Sequence, residues 1–201
     1  MPKITNTEVY GLERAIKTAK YPMAIDISKL NSDLTPGIKS CFNCPTGEGH
    51  DNALNGIIVQ FDLTFSIKAW MESERYHFLD FISSQSTMHR LHKFKIAEQC
   101  NEYVDQRIIN IVQEKVDKYN TIVEQQKTDK NITNQDIKEA RLKMLYNIPA
   151  GFELTAGMTT NYRQLKTIYQ QRRYHALPDW QLFCNWCKSL PRFLELTQQN
   201  Y

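Results

Sequence analysis

The strongest pattern in the chain is an alternation. Ile57, Val59, Phe61, Leu63, Phe65 and Ile67 recur at every second position, with Ile58, Gln60, Asp62, Thr64, Ser66 and Lys68 between them. Successive side chains on a strand point to opposite faces, so the pattern predicts a strand over 56–67 with one face buried. Elsewhere the spacing is helical. Val9, Leu12, Ile16 and Ala19 form the apolar stripe of an amphipathic helix over 7–20. Residues 68–84, rich in aromatics, read as helix with a turn. From about Lys95 the chain turns helical for roughly 30 residues. There Ile109, Val112, Val116, Tyr119 and Val123 recur at three and four, a stripe that suits a core or a subunit contact. Thr133 or Asn134 can cap the next helix, which runs to about Asn147 and stops at Pro149-Ala150-Gly151. Thr160 is placed to cap a helix reaching Arg172. Leu177-Pro178-Asp179 begins a last helix, which Pro191 ends. Asn, Ser, Asp, Pro and Gly concentrate over 31–52, which therefore reads as irregular. Residues 125–134 are polar apart from Ile132 and mark a break.

One strong strand among several helices implies a mixed α/β (α+β) fold, a small sheet packed against helices, one of them long. No repeat or linker divides the 201 residues, so a single domain over 1–201 is expected. Its stretches are 1–48, 49–94, 95–147 and 148–201. Hydrophobic content of 41% and charged content of 23% are globular values. A net charge of +3 is too small for a nucleic-acid coat. No apolar run approaches the length of a membrane span, and Met1-Pro2-Lys3-Ile4-Thr5-Asn6 lacks the apolar core of a secretion signal. A cytoplasmic protein is the expectation, and five cysteines, an odd number, suit reduced thiols.

The candidate chemistry lies in two polar clusters. In a helix, Asn161, Leu165, Ile168 and Arg172 share one face. That face carries an amide and a guanidinium where only apolar groups are expected, and a half-buried Arg needs an anion or a carboxylate. No Asp or Glu lies within this helix, so the partner comes from elsewhere in the fold or from a ligand. The second cluster is Gln85-Ser86-Thr87-Met88-His89-Arg90, in which a helix would bring Gln85 and His89 together. Cys41-x-x-Cys44 and Cys184-x-x-Cys187 have the spacing of a four-thiolate zinc site. The second pair sits beside Trp180, Phe183 and Trp186 on an amphipathic helix, where small buried cysteines are ordinary. No metal is therefore expected, and only a meeting of the two pairs in space would change that.

These clusters carry a resemblance. Gln85, His89 and Arg90 are similar to the Gln-x-x-Arg-His-Arg signature of the flavin-dependent thymidylate synthases, with Met88 in place of the leading Arg. Asn161, Arg163, Leu165 and Arg172 match the family's later motif at its internal spacing. His175, Ala176 and Trp180 resemble its His-Ala-x-Trp ending with one residue inserted, and Gly49-His50 its Gly-His turn. The Ser, and the Arg of a closing Arg-Tyr, expected after the first motif are absent from Lys95–Tyr103. The chain also resembles bacteriophage proteins of this size. The resemblance implies a nucleotide-binding flavoprotein, a homotetramer with sites built between subunits, using FAD, NADPH and methylenetetrahydrofolate to methylate dUMP. In that reading Arg172 polarises the pyrimidine and Gln85 and Arg90 help bind the nucleotide. His89, Asn161 and Arg163 line the flavin side. Without the missing Arg and Ser, the same scaffold could instead hold a nucleotide, or sequester a signalling nucleotide, without turnover. A purely structural oligomer built on the 109–123 stripe is the third possibility.

Overall fold

The computed structural model describes residues 2–197. The chain opens with strand β1 (Lys3–Tyr10) rather than with the helix expected over 7–20, which is confined to α1 (Leu12–Thr18). Gly11 separates the two with φ at 79°, and a Cβ there would lie 2.3 Å from the Gly56 carbonyl oxygen. Only glycine allows this turn and this approach of two backbones. Within the stretch expected to be irregular, Thr35 caps α2 (Pro36–Phe42), its hydroxyl accepting from the Ile38 N–H. Proline at the first helical position completes that start signal.

In strand β2 (Ile58–Ser66) the alternating Ile57, Val59, Phe61, Leu63 and Phe65 are buried as expected, but Thr64 and Ser66 between them are buried too, so burial of one face alone holds only for the first part of the strand. The segment expected as helix with a turn is α3 (Ile67–Ser73) followed by an exposed strand, β3 (Asp80–Ser84). Short α4 (Thr87–Arg90) and α5 (Ile96–Gln99) come next. The long helix begins only at α6 (Gln106–Gln125), where Asp105 caps it. It does not start near Lys95, because Asn101–Asp105 turns the chain first: the Asn101 N–H donates to Gly151 O, and the Val104 N–H closes back on Asn101 O. A capping box between Thr133 and Asp136 starts α7 (Asn134–Leu145). Strand β4 (Glu153–Asn161) follows, then α8 (Tyr162–Arg172), α9 (Pro178–Ser189) and α10 (Phe193–Thr197). The four strands form an antiparallel sheet in the order β1-β2-β4-β3, and the fold is mixed α/β.

The chain divides into two compact units, with the cuts falling inside all four strands and α3. One consists mainly of 64–72 and 84–156. Its core is Leu91, Ile96, Ile109, Val112, Val116, Met144 and Phe152. The helical stripe beginning at Ile109 therefore faces its own unit's interior, and Ile109, Val112 and Val116 are not exposed for a subunit contact. The other unit consists mainly of 4–63, 73–83 and the chain from 157 onward. Phe42, Leu54, Leu165, Ile168, Trp180 and Phe193 are buried in it. An aromatic series links Tyr76, Trp180, Phe183 and Phe61.

Candidate functional site

The second unit carries a buried ionic cluster at the start of α8. Asn161 caps this helix, its Oδ1 accepting from the Gln164 N–H at 2.9 Å. The cap falls one residue later than expected, because the Thr160 hydroxyl donates instead to Phe78 O at 2.6 Å. Asn161 is thus the cap itself and not the first member of a helical stripe. In the first turn of the helix, Arg163 Nε donates to Asp51 Oδ1 at 2.9 Å and Nη1 to Asn52 Oδ1 at 3.2 Å. Lys166 Nζ donates to the other Asp51 oxygen at 2.7 Å, to Cys44 O at 2.7 Å and to Phe42 O at 2.9 Å. All three donors of a lysine only 1% exposed are thus matched by acceptors, as burial of so polar a group requires.

Two cations share one carboxylate here, leaving an excess positive charge. Asp51, Asn161, Arg163, Gln164 and Thr167 line a cavity of about 380 Å³. The positive end of the α8 dipole adds to the same field. The cavity therefore favours an acceptor-rich or anionic group. Asn161 retains its amide donor and Arg163 its Nη2 for such a group.

Arg172 lies at the other end of α8, buried with Leu165 and Ile168 on the expected face. Its Nε donates to the Tyr76 hydroxyl at 2.7 Å. Its guanidinium carbon stands 4.7 Å from the Trp180 ring centroid and 5.6 Å from that of Tyr76. The Tyr76 hydroxyl donates onward to Gln171 Oε1 at 3.1 Å. Sequence reasoning looked for an anion here. The fold also supplies a phenol oxygen and the faces of two rings, which attract a cation without neutralising it.

Gln85, His89 and Arg90 belong to the first unit. The helical pairing of Gln85 with His89 does not form, because α4 starts only at Thr87. Gln85 instead prolongs the pairing of β3 with β4. Its N–H donates to Thr155 O, and its side-chain Oε1 accepts from the Thr155 N–H, both at 2.9 Å. The amide oxygen takes the place of a ladder carbonyl, which leaves the NH₂ as the donor available to a ligand. His89 and Arg90 are exposed, as is the side chain of Met88. The structure therefore brings Asn161 and Arg163 to one cavity and encloses Arg172 in the core of the same unit. Gln85, His89 and Arg90 lie together in the other unit.

The five cysteines are free thiols: Cys41 is exposed, while Cys44, Cys184 and Cys187 are buried. Burial pushes the Cys184 thiol up to about 11 and raises that of Cys187 well above its ordinary value, which favours the thiol form of both. Among the described residues, no group of three or more His, Cys, Asp or Glu side chains gathers to hold a metal ion. None of the described helices is long and apolar enough to cross a membrane.

No protein-family model and no curated protein matches the chain. Solved structures do. Thymidylate synthase X from Helicobacter pylori, crystallised with FAD and dUMP, superposes with a TM-score of 0.68 at 14% identity, over 98% of both chains. A second structure of the flavin-dependent enzyme from that organism, complexed with FAD and dUMP, gives 0.66 at 15% identity, again over 98% of both. The chain has the fold of the flavin-dependent thymidylate synthases. On this thymidylate synthase fold, Asn161-x-Arg163-x-Leu165 marks the junction of β4 with α8. Sequence reasoning missed Lys166 and Asp51. The available signals were a lysine beside the apolar Leu165 and an aspartate directly after the Gly49-His50 turn. Neither signals burial by itself, since lysine and aspartate are ordinarily exposed.

Proposed function

We propose that the protein binds a pyrimidine nucleotide together with FAD on this thymidylate synthase scaffold. The supporting observation is the full-length likeness to structures that contain FAD and dUMP. The side chains available suit a flavin nucleotide, because all of them offer donors to an acceptor-rich, anionic molecule. Asn161 and Arg163 present an amide and a guanidinium at a cavity with excess positive charge. His89 and Arg90 present an imidazole and a second guanidinium at the surface. FAD, when bound, supplies the hydride taken from NADPH, with methylenetetrahydrofolate giving the carbon that converts dUMP to the methylated nucleotide. The protein's part is to bind, orient and polarise. Arg172 stabilises negative charge developing on the pyrimidine, and Tyr76 and Trp180 hold that guanidinium in place. Gln85 and Arg90 meet the nucleotide, Gln85 through its NH₂ alone. Assembly into a homo-oligomer, a tetramer by the resemblance, completes the proposal, with the chain working in a cytoplasm, that of a host if a bacteriophage encodes it.

A second reading, a nucleotide binder without turnover, is favoured by one observation. Arg172 is only 6% exposed and is held by Tyr76 and Trp180, and the side chain of Met88 offers no hydrogen-bond donor where the resembled family has an arginine. The absorbance of the purified protein separates the readings. A flavin band, with dUMP-dependent oxidation of NADPH in the presence of the folate, supports the enzyme. A colourless protein stabilised by dUMP supports the binder. Arg172→Ala abolishes nucleotide binding in either case, and an unchanged affinity removes Arg172 from the site. A protein that neither holds flavin nor responds to dUMP refutes both.

A further inference from the structure

Among the described residues, a cationic patch in the first unit makes no ion pair with an acid. Arg90 ends α4, His92 and Lys93 lie in the turn after it, and Arg141 projects from α7. Arg141 Nη2 donates to the carbonyl oxygen of Met88. The turn is fixed from a second side, where Asn120 Nδ2 on α6 donates to His92 O at 3.1 Å. The His92 ring lies 5.6 Å from that of Tyr119. Three helices thus hold one short basic turn in place. Among the described residues, none of Arg90, Lys93 and Arg141 forms an ion pair, whereas Arg107 pairs with Asp105, Lys95 with Glu98 and Lys143 with Glu139. The imidazole of His92 registers the crowding. Burial first, then the charges of Lys93, Arg90 and Arg141, hold it below its ordinary value. Gathering like charges and pinning them with hydrogen bonds costs free energy that a bound anion would return.

We infer that Arg90, Lys93 and Arg141 form a seat for a phosphate-bearing ligand, with Arg141 as its forked donor. One Arg141 nitrogen is committed to the Met88 carbonyl, which fixes the plane of the guanidinium and leaves further N–H groups to grip phosphate oxygens. Position 88 itself offers only an exposed thioether, so the guanidinium at this place comes from a helix some fifty residues further along the chain. The inference stands on this patch alone and does not require that the protein bind flavin or turn over dUMP.

Inorganic pyrophosphate is the probe, titrated by calorimetry against sodium chloride of equal ionic strength. The wild type binds pyrophosphate beyond the salt control. Arg141→Gln weakens that binding by about tenfold or more, the effect of losing a charge-assisted contact. Arg141→Lys gives a partial loss, since charge remains but the fork does not. Arg107→Gln removes the same charge from a cation that already has a carboxylate, and it leaves binding unchanged. Circular dichroism melts establish that each variant is folded, and Arg90→Gln provides a second route should Arg141→Gln fail to fold. Equal affinity in Arg141→Gln and wild type, or a wild-type response no larger than that to salt, overturns the seat. Repeating the titration with FAD and with dUMP identifies the source of the phosphate. A loss confined to FAD assigns the seat to a dinucleotide, and one confined to dUMP to a monophosphate. If neither binds the wild type while pyrophosphate does, the seat stands and the proposed function falls.

Discussion

Replacing Lys166 with methionine tests the buried ionic cluster most directly. The two side chains have similar length, so the change removes the charge and its three hydrogen bonds with little loss of volume. It leaves one Asp51 oxygen and the carbonyls of Phe42 and Cys44 without their donor, in a site where Lys166 and Asp51 are each about 1% exposed. Arg163 still meets the other Asp51 oxygen, so the carboxylate keeps one partner. Breaking a buried pair from one side costs about 3–5 kcal/mol. For a chain of this length that lowers the melting temperature by roughly 6–20 °C, at about 2–4 °C per kcal/mol. Urea denaturation measures the loss. Asp51→Asn should cost a similar amount, and the double variant less than the sum of the two, because the partners no longer strand each other. A Lys166→Met protein within about 1 kcal/mol of wild type, or strict additivity with Asp51→Asn, would mean that water already reaches the ammonium and that the clamp described here does not hold.

Tyr76→Phe removes the oxygen that accepts from Arg172 Nε; about 1.5–3 kcal/mol of stability should go with it, read by urea denaturation, and loss of nucleotide affinity at constant fold would place Tyr76 as a positioning residue for Arg172. Gly11→Ala must set a Cβ against the Gly56 carbonyl at a left-handed φ, so a loss of at least about 2 kcal/mol is expected; an unchanged melt would refute the close approach of β1 and β2 at that turn. Because the folded protein holds the imidazole of His92 below its ordinary value, the unfolded chain binds its proton more readily. Its contribution is therefore complete above about pH 6.5 and is lost as the pH falls through the lower folded value. Thermal melts should accordingly show wild type losing more stability on acidification than His92→Gln, and identical slopes would remove His92 from the basic turn.

How much of this was readable before the coordinates depended on where each residue's partners lie in the chain. Strand β2 was plain because five large apolar residues alternate and all are buried. Strand β1 was hidden because most of its residues are exposed, and Val9 satisfied a helical spacing with Leu12 and Ile16 as well as it fits a strand. Strand β4 went unnoticed because its buried positions include Ala156 and Thr160, which do not stand out from the Thr and Gly around them. The Thr133 and Pro178 helix starts were legible because capping is a local affair. Arg172 could be recognised as an intruder on an apolar face, but not what it would meet, since Tyr76 lies nearly a hundred positions away. Lys166 gave less warning still: its three acceptors all lie more than a hundred residues upstream, and two of them belong to the main chain.

That last detail bears on how this chain can vary among its relatives. Every amino acid carries a carbonyl, so positions 42 and 44 can change their side chains and still receive the ammonium, provided the local backbone keeps its course. Position 166 has no such latitude, since Asp51 supplies the charge that makes its burial tolerable, while Asp51 also has Arg163. In a set of diverged sequences, a lysine at 166 should therefore appear with an acid at 51, and a lysine left there without one should be rare.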